Sequence, residues 1–338
     1  MIEPLGLLHG TDARHALDGG VAFPCPGGAF TLARVGGRVL PVAALTGAAR
    51  AAALALARVP GWAGLPERAL VMGIVNVTPD SFSGGGRHPG AGRVPEAGRV
   101  IEAALALVAA GADILDVGGE STRPGAVSVT PEEEQARVLP VIRGLVAALH
   151  GQVPVSVDTR NAATMAAALD AGAGIVNDVS GLAHDPRAAG LVAARNCPVV
   201  LMHMRGTPDT MGTLARYDDV VADVAAELGS RLAVAEAAGV VRTQVALDPG
   251  IGFAKRPADN PVLLRGLPLL LGLGCRVLVG VSRKRFVGEL SGVAEPQARM
   301  AGSVAAGLFA LSRGASILRV HDVAATVQAV RVWEALQG

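Results

Sequence analysis

From Ala69 onward the chain alternates between short β-branched runs and alanine- and leucine-rich stretches of helical period, and few folds accept that alternation. The runs cover 70–77, 114–117, 153–157, 174–176, 199–202, 244–247, 276–281 and 316–320. Between them lie stretches such as 100–110, 132–149, 220–237 and 323–336, whose apolar residues recur at helical spacing. Strands so nearly continuous in apolar residues belong in a parallel sheet covered on both faces. Eight βα units over about 270 residues match one α/β domain, a (β/α)8 TIM barrel, whose typical length is about 250. A doubly wound open sheet competes, but it would place a GxGxxG turn after its first strand. That strand runs instead into Asn76-Val77-Thr78-Pro79-Asp80. The barrel is expected over residues 66–338.

Residues 1–65 read differently, as an N-terminal extension. They hold a hairpin over 30–42 turning at Gly36-Gly37 and an alanine-rich helix near 48–58. The segment 60–66, marked by Pro60, Gly61, Gly64 and Pro66, reads as a linker. No chemical groups gather here, so the extension is expected to be a docked decoration.

Composition narrows the function. With 51% hydrophobic and 17% charged residues, the chain is built for a large core and not for disorder. A net charge of +1, from 30 basic against 29 acidic residues, argues against nucleic acid as a partner. Cys25, Cys197 and Cys275 are too few and too scattered for a disulfide framework or a structural zinc site. The most membrane-like stretch, 39–57, is mostly alanine and carries Pro41 and Arg50. With no basic and apolar leader at its start, the expectation is a soluble cytoplasmic protein that spans no membrane.

Catalytic groups of such barrels gather where strands run into loops. Here the strands end at or near Asn76, Asp116, Asp158, Asn177, His203, Asp248, Ser282-Arg283-Lys284 and Arg319 with His321. Asp, Asn, Ser and Thr after strands often only cap the next helix. Capping does not call for His203, Lys284, Arg319 or His321, so the set points to a site. Asp158, Asn177, Asp248 and Lys284 suit a flat, neutral heterocycle with several N–H groups and ring acceptors. Arg123, Arg319 and His321, with the hydroxyls of Ser121 and Thr122, suit a phosphate or carboxylate. Asn76 offers a carbonyl oxygen to Mg²⁺. Of the 30 basic residues only Lys255 and Lys284 are lysines, and both fall in these loops. In a chain that otherwise uses arginine, this hints at a need for a compact ammonium.

The ordered segments resemble dihydropteroate synthase, the folate-pathway barrel enzyme targeted by sulfonamides. The resemblance runs through 71–83, 116–125, Val157-Asp158-Thr159, 176–179 and His203-Met204-Arg205-Gly206-Thr207-Pro208. It continues in Asp248-Pro249-Gly250-Ile251-Gly252-Phe253, Ser282-Arg283-Lys284 and Arg319-Val320-His321-Asp322-Val323, and covers roughly residues 69–338. It implies joining 6-hydroxymethyl-7,8-dihydropterin diphosphate to p-aminobenzoate, with pyrophosphate leaving before the amine attacks. By the match, Asp158, Asn177, Asp248 and Lys284 hold the pterin. Thr122, Arg319, His321 and Asn76 with Mg²⁺ hold the diphosphate. Phe82, Thr122, Arg123, Pro124, Phe253 and Lys284 shape the p-aminobenzoate site, and the catalytic set is Lys284, Asp158, Arg319 and His321. The family is usually a homodimer through its last helices, and 323–336 is apolar enough to serve.

The chain departs from the family pattern twice. Gly84 stands where many members have Asp, and Arg285 stands where many have Ser, which would set a further cation near the p-aminobenzoate carboxylate. Two other functions fit parts of the pattern. A methyltetrahydrofolate-dependent methyltransferase barrel would share the pterin-holding Asp and Asn but have no use for the Ser-Arg-Lys and Arg-Val-His anion set. A non-catalytic pterin-binding paralogue would tolerate Gly84.

Overall fold

The computed structural model describes residues 2–78, 96–121 and 129–337. Its centre is a closed parallel barrel of eight strands: β5 (Leu70–Asn76), β6 (Ile114–Gly118), β7 (Val155–Asp158), β8 (Ile175–Asp178), β9 (Val199–Met202), β10 (Val245–Asp248), β11 (Arg276–Val279) and β12 (Ile317–Val320). Around it lie α3 (Ala97–Ala109), α4 (Pro131–Leu149), α5 (Ala162–Asp170), α6 (Ala188–Arg195) and α7 (Val220–Ala237). They are followed by α8 (Asp259–Arg265), α9 (Pro268–Leu271), α10 (Arg285–Ser291), α11 (Met300–Ser312) and α12 (Val323–Gln337). The alternation read from the sequence is this barrel, with two helices each after β10 and β11. Helix starts are written locally: Thr130 and Glu133 cap α4 reciprocally, with Pro131 at its first turn.

Alternate residues of the barrel strands share its interior. Leu70, Met72, Ile114, Ile175, Val200, Ala246, Leu278 and Ile317 form one apolar cluster there. Two residues further along, the side chains turn polar: Ile114 gives way to Asp116, Ile175 to Asn177, Ala246 to Asp248 and Ile317 to Arg319. An apolar interior thus ends in a polar rim at the carboxyl ends of the strands.

Ahead of the barrel lie β1 (Ile2–Leu8), α1 (Gly10–Asp18), β2 (Phe23–Cys25), β3 (Gly28–Val35), β4 (Arg38–Pro41) and α2 (Gly47–Ala55). The expected hairpin is β3–β4, with Val35 opposite Arg38 across Gly36 and Gly37. Both glycines have positive φ, +54° and +79°, as a two-residue hairpin turn requires. Strands β1 and β2 and helix α1 are not anticipated from the sequence: β1 carries Pro4 and Gly6, which strands disfavour, β2 is three residues long, and α1 starts at Gly10 without a side-chain cap. Phe23, Phe30, Val42 and Leu56 join the same apolar cluster as the outer faces of the barrel strands.

The segment read as a linker over 60–66 is instead a floor beneath the barrel. Trp62 is fully buried against the interior cluster, and its Nε1 donates to the Gln244 carbonyl at 2.8 Å. From β11, the buried Arg276 donates to the carbonyls of Pro60 at 2.8 Å and Pro66 at 2.7 Å. Proline and glycine there shape a tight plug, which composition alone does not distinguish from a flexible connection.

Candidate active site

Strand register sets the rim. Asn76 lies opposite Gly118, Gly118 opposite Asp158, and Asp158 opposite Asn177, so β5 to β8 present these residues at one level. Across the barrel, β12 brings Arg319 between two carboxylates. Its Nε donates to Asp116 Oδ2 at 2.6 Å and its Nη2 to Asp158 Oδ2 at 2.6 Å. Asp116 Oδ2 also accepts from Asn177 Nδ2 at 2.9 Å. Asp116 is fully buried, and its Oδ1 has no hydrogen-bond partner among the described residues. Sequence reasoning places Asp116 at a strand end and assigns it no ligand role, although an Asp inside an apolar strand, two residues after the inward Ile114, is the signal that it lines the site.

Two carboxylates share one guanidinium, so the cluster holds a surplus of negative charge and acceptor oxygens. Burial pushes the Asp158 carboxyl up to about 7, with Arg319 opposing. Burial raises Asp248 as well, against the nearby Lys284. Burial alone would lower Arg319, but Asp116 and Asp158 outweigh it and keep the guanidinium firmly charged. A ligand bringing N–H donors would satisfy such a site better than a second anion would.

Lys284 stands on the opposite side of the rim, at the start of α10. Its Nζ donates to the Ile251 carbonyl and lies 4.4 Å from the centroid of the Phe253 ring. Burial lowers the ammonium to about 8, with Asp248 pulling the other way. Gly252 must be glycine here: its φ is +82°, and a Cβ would come within 3.2 Å of Lys284 Cδ. Phe253 packs beside Val179, Met202 and Met204, giving one wall an apolar face. Asp248 also does part of what a capping reading expects, since its Oδ1 accepts from the Gly250 N–H at 2.7 Å.

The loops after β11 and β12 meet at the rim. His321 Nδ1 lies 3.0 Å from Ser282 Oγ, which also accepts the His321 backbone N–H at 3.2 Å. Arg283 is committed to a bidentate pair with Asp322, at 3.0 and 2.6 Å, and ties the two loops together. Arg285 does not add a cation beside the site as expected. Its side chain is 84% exposed and pairs along α10 with Glu289, because the helix turns it to solvent. His203, grouped with the strand ends in the sequence, is buried between Lys255 and Glu227. Phe82, Gly84, Thr122, Arg123 and Pro124 lie outside the described residues. No helix among the described residues is long and apolar enough to cross a membrane.

A sequence profile described as "Pterin binding enzyme" matches residues 72–321. The chain is 43% identical over 270 residues to the dihydropteroate synthase of a Synechocystis species, covering 80% of this chain and 91% of that one. Among solved structures it is similar to Xanthomonas albilineans dihydropteroate synthase with 4-aminobenzoic acid. That pair shares 48% identity and a TM-score of 0.73, over 89% of this chain and 96% of the other. A structure of the enzyme from the same organism in complex with 7,8-dihydropteroate gives 49% identity and a TM-score of 0.71, over 80% and 95%. Likeness at this level spans the whole barrel, and every strand that delivers a group to the rim lies within or at the edge of the matched segment. The chain therefore belongs to the dihydropteroate synthase family of pterin-binding enzymes.

Proposed function

We propose that this chain condenses 6-hydroxymethyl-7,8-dihydropterin diphosphate with p-aminobenzoate, releasing 7,8-dihydropteroate and pyrophosphate. The observation that carries this reading is the pairing of an acceptor-rich cluster, Asp116, Asp158 and Asn177 around Arg319, with a separate cation-and-ring wall of Lys284 and Phe253. The first suits a heterocycle with many N–H groups, and the second suits an aromatic carboxylate.

The reaction breaks the bond between the pterin methylene carbon and the diphosphate oxygen, and the electron pair leaves with the diphosphate. The aniline nitrogen then bonds to that carbon and gives up one proton to solvent. Asp158, Asn177 and Asp248 hold the ring, and the Asp158 carboxylate stabilises the cationic pterin formed as the diphosphate departs. Arg319 and His321 meet the charge gathering on the leaving group, with Thr122 from the second loop. Lys284 lies between the ring and the amine, and Phe82, Arg123, Pro124 and Phe253 complete the p-aminobenzoate site. Catalysis of this kind is mostly orientation and charge stabilisation.

Asn76, at the carboxyl end of β5, would supply one amide oxygen to a Mg²⁺ held mainly by the substrate diphosphate. When bound, Mg²⁺ would neutralise charge on the diphosphate, an ion that favours few protein ligands plus phosphate oxygens. Leu290, Phe309, Val332 and Leu336 are exposed on the last helices, and a homodimer through these helices would cover them.

The test supplies the pterin diphosphate, p-aminobenzoate and Mg²⁺ and follows pyrophosphate and dihydropteroate together. Equal amounts of both are expected. Pterin binding without either product would instead identify a non-catalytic paralogue.

A further inference from the structure

The loop between β10 and α8 carries Phe253 and bends around Lys284 in conformations that L-residues avoid. Gly250 and Gly252 have φ of +68° and +82°, and Ala254, which has a Cβ, sits at +47°. A left-handed alanine persists only where its surroundings over-determine it. Two consecutive carbonyls of this loop are held by side chains. Lys255 Nζ donates to the Phe253 carbonyl at 2.9 Å, and the Tyr217 hydroxyl donates to the Ala254 carbonyl at 2.8 Å.

These two donors are the ends of one continuous chain of side chains. Lys255 Nζ lies 2.9 Å from His203 Nδ1, and His203 Nε2 lies 3.0 Å from Glu227 Oε2 on α7. Glu227 accepts from Arg205 Nε at 2.9 Å, and the Arg205 guanidinium lies 4.0 Å from the centre of the Tyr217 ring. Glu227 is a carboxylate and can only accept, so His203 Nε2 donates to it, and the Nδ1 of the neutral ring accepts from Lys255. His203 is 2% exposed and Lys255 9%, so both are sealed from solvent. The loop backbone packs directly on the pair: a Cβ on Gly250 would fall 2.0 Å from the His203 carbonyl and 3.3 Å from Lys255 Nζ.

We propose that Lys255 and His203 are positioning residues for the p-aminobenzoate site. They anchor the Phe253 carbonyl so that the Phe253 ring stands over the Lys284 ammonium as a fixed wall. This rests on the function proposed above. It also gives a role to the second lysine of the chain, which the sequence left without one. A lysine suits the place because one point donor bridges an imidazole nitrogen and a carbonyl 2.9 Å from each, where a planar guanidinium would not fit.

Lys255→Met keeps the stem and removes the donor. Two readouts are taken on the full-length protein: amide hydrogen exchange along the chain, and the Michaelis constant for each substrate. Exchange in residues 250–255 is expected to accelerate about tenfold, with the rest of the barrel unchanged. KM for p-aminobenzoate is expected to rise about tenfold, while KM for the pterin diphosphate moves less than about twofold. Tyr217→Phe, which deletes one hydroxyl, should show the same pattern at about threefold and covers the case in which Lys255→Met does not fold. Unchanged exchange in the loop overturns the anchoring, and so does acceleration spread evenly over the barrel. A loop-confined effect with both KM values shifted equally overturns the positioning role. Loop-confined exchange in a protein whose wild type makes no dihydropteroate supports the anchor and refutes the proposed function.

Discussion

Lys284 is where single-residue chemistry is most exposed to test. Its ammonium touches the Ile251 carbonyl and the face of Phe253, a slot shaped for a slim stem. Lys284→Arg keeps the charge but spreads it over a planar fork, and a misplacement of about 1 Å can cost on the order of a hundredfold in rate. We expect kcat/KM to fall at least about tenfold, roughly 1.4 kcal/mol, with little change in Tm. Arg285→Ala, on an exposed i,i+4 pair, is the matching control and should be nearly silent, within about 0.5 kcal/mol. Since burial lowers Lys284 to about 8, the cation is lost as pH rises through that value. The wild-type kcat/KM should therefore carry an alkaline limb near pH 8, and the arginine variant should lack it. A limb of the same midpoint in both proteins assigns it to another group. At the other end of the site, Asn76 provides the test of the metal. Excess chelator should abolish turnover, and Asn76→Ala should raise the Mg²⁺ concentration for half-maximal rate about tenfold. Full activity in chelator, with metal removal verified, refutes the assignment.

At the scale of elements, the strands were readable because a buried parallel barrel needs continuous apolar runs, and their ends were readable because polar residues interrupt them. What was hidden is packing at long range. Trp62 and Arg276 are over two hundred residues apart, and neither shows its function without the other. The same holds for Lys255, whose partners His203 and Tyr217 come from a different loop. Asp116 was visible as a residue and unread as a role, because only the fold shows Arg319 and Asn177 converging on it. Trp62→Ala should cost about 3–5 kcal/mol through the cavity left under the barrel, while turnover at 25 °C persists, since the rim is at the other end. Truncation tests the same floor. Removal of residues 1–58 keeps Trp62 and should leave a cooperatively folding barrel, less soluble because Phe30 and Val42 no longer cover its flank. Removal of residues 1–66 takes away the floor as well, and should lower Tm far more. Equal melting of the two truncations would show that the plug contributes nothing.

For the whole molecule, the exposed apolar side chains of the last helices bear on association. Leu290, Phe309, Val332 and Leu336 lie on α10, α11 and α12, and Leu336 is 79% exposed. Light scattering at micromolar concentration should give twice the 34.0 kDa chain mass, and Phe309→Glu should shift it toward one chain. A monomer at all concentrations would assign those side chains to ordinary surface. The floor beneath the barrel also bears on time. The carbonyls of Pro60, Leu65 and Pro66 leave the ribosome first, and the Arg276 side chain that clasps them follows 210 to 216 residues later. At about 5–20 residues per second that delay is roughly 10–40 s. Throughout it, the Trp62 indole has no barrel to enter, and its carbonyl partner, Gln244, is itself 182 residues away. A nascent chain arrested before Arg276 should therefore hold Trp62 in water, and the shift of its fluorescence to the blue would mark the moment at which the barrel closes over its own beginning.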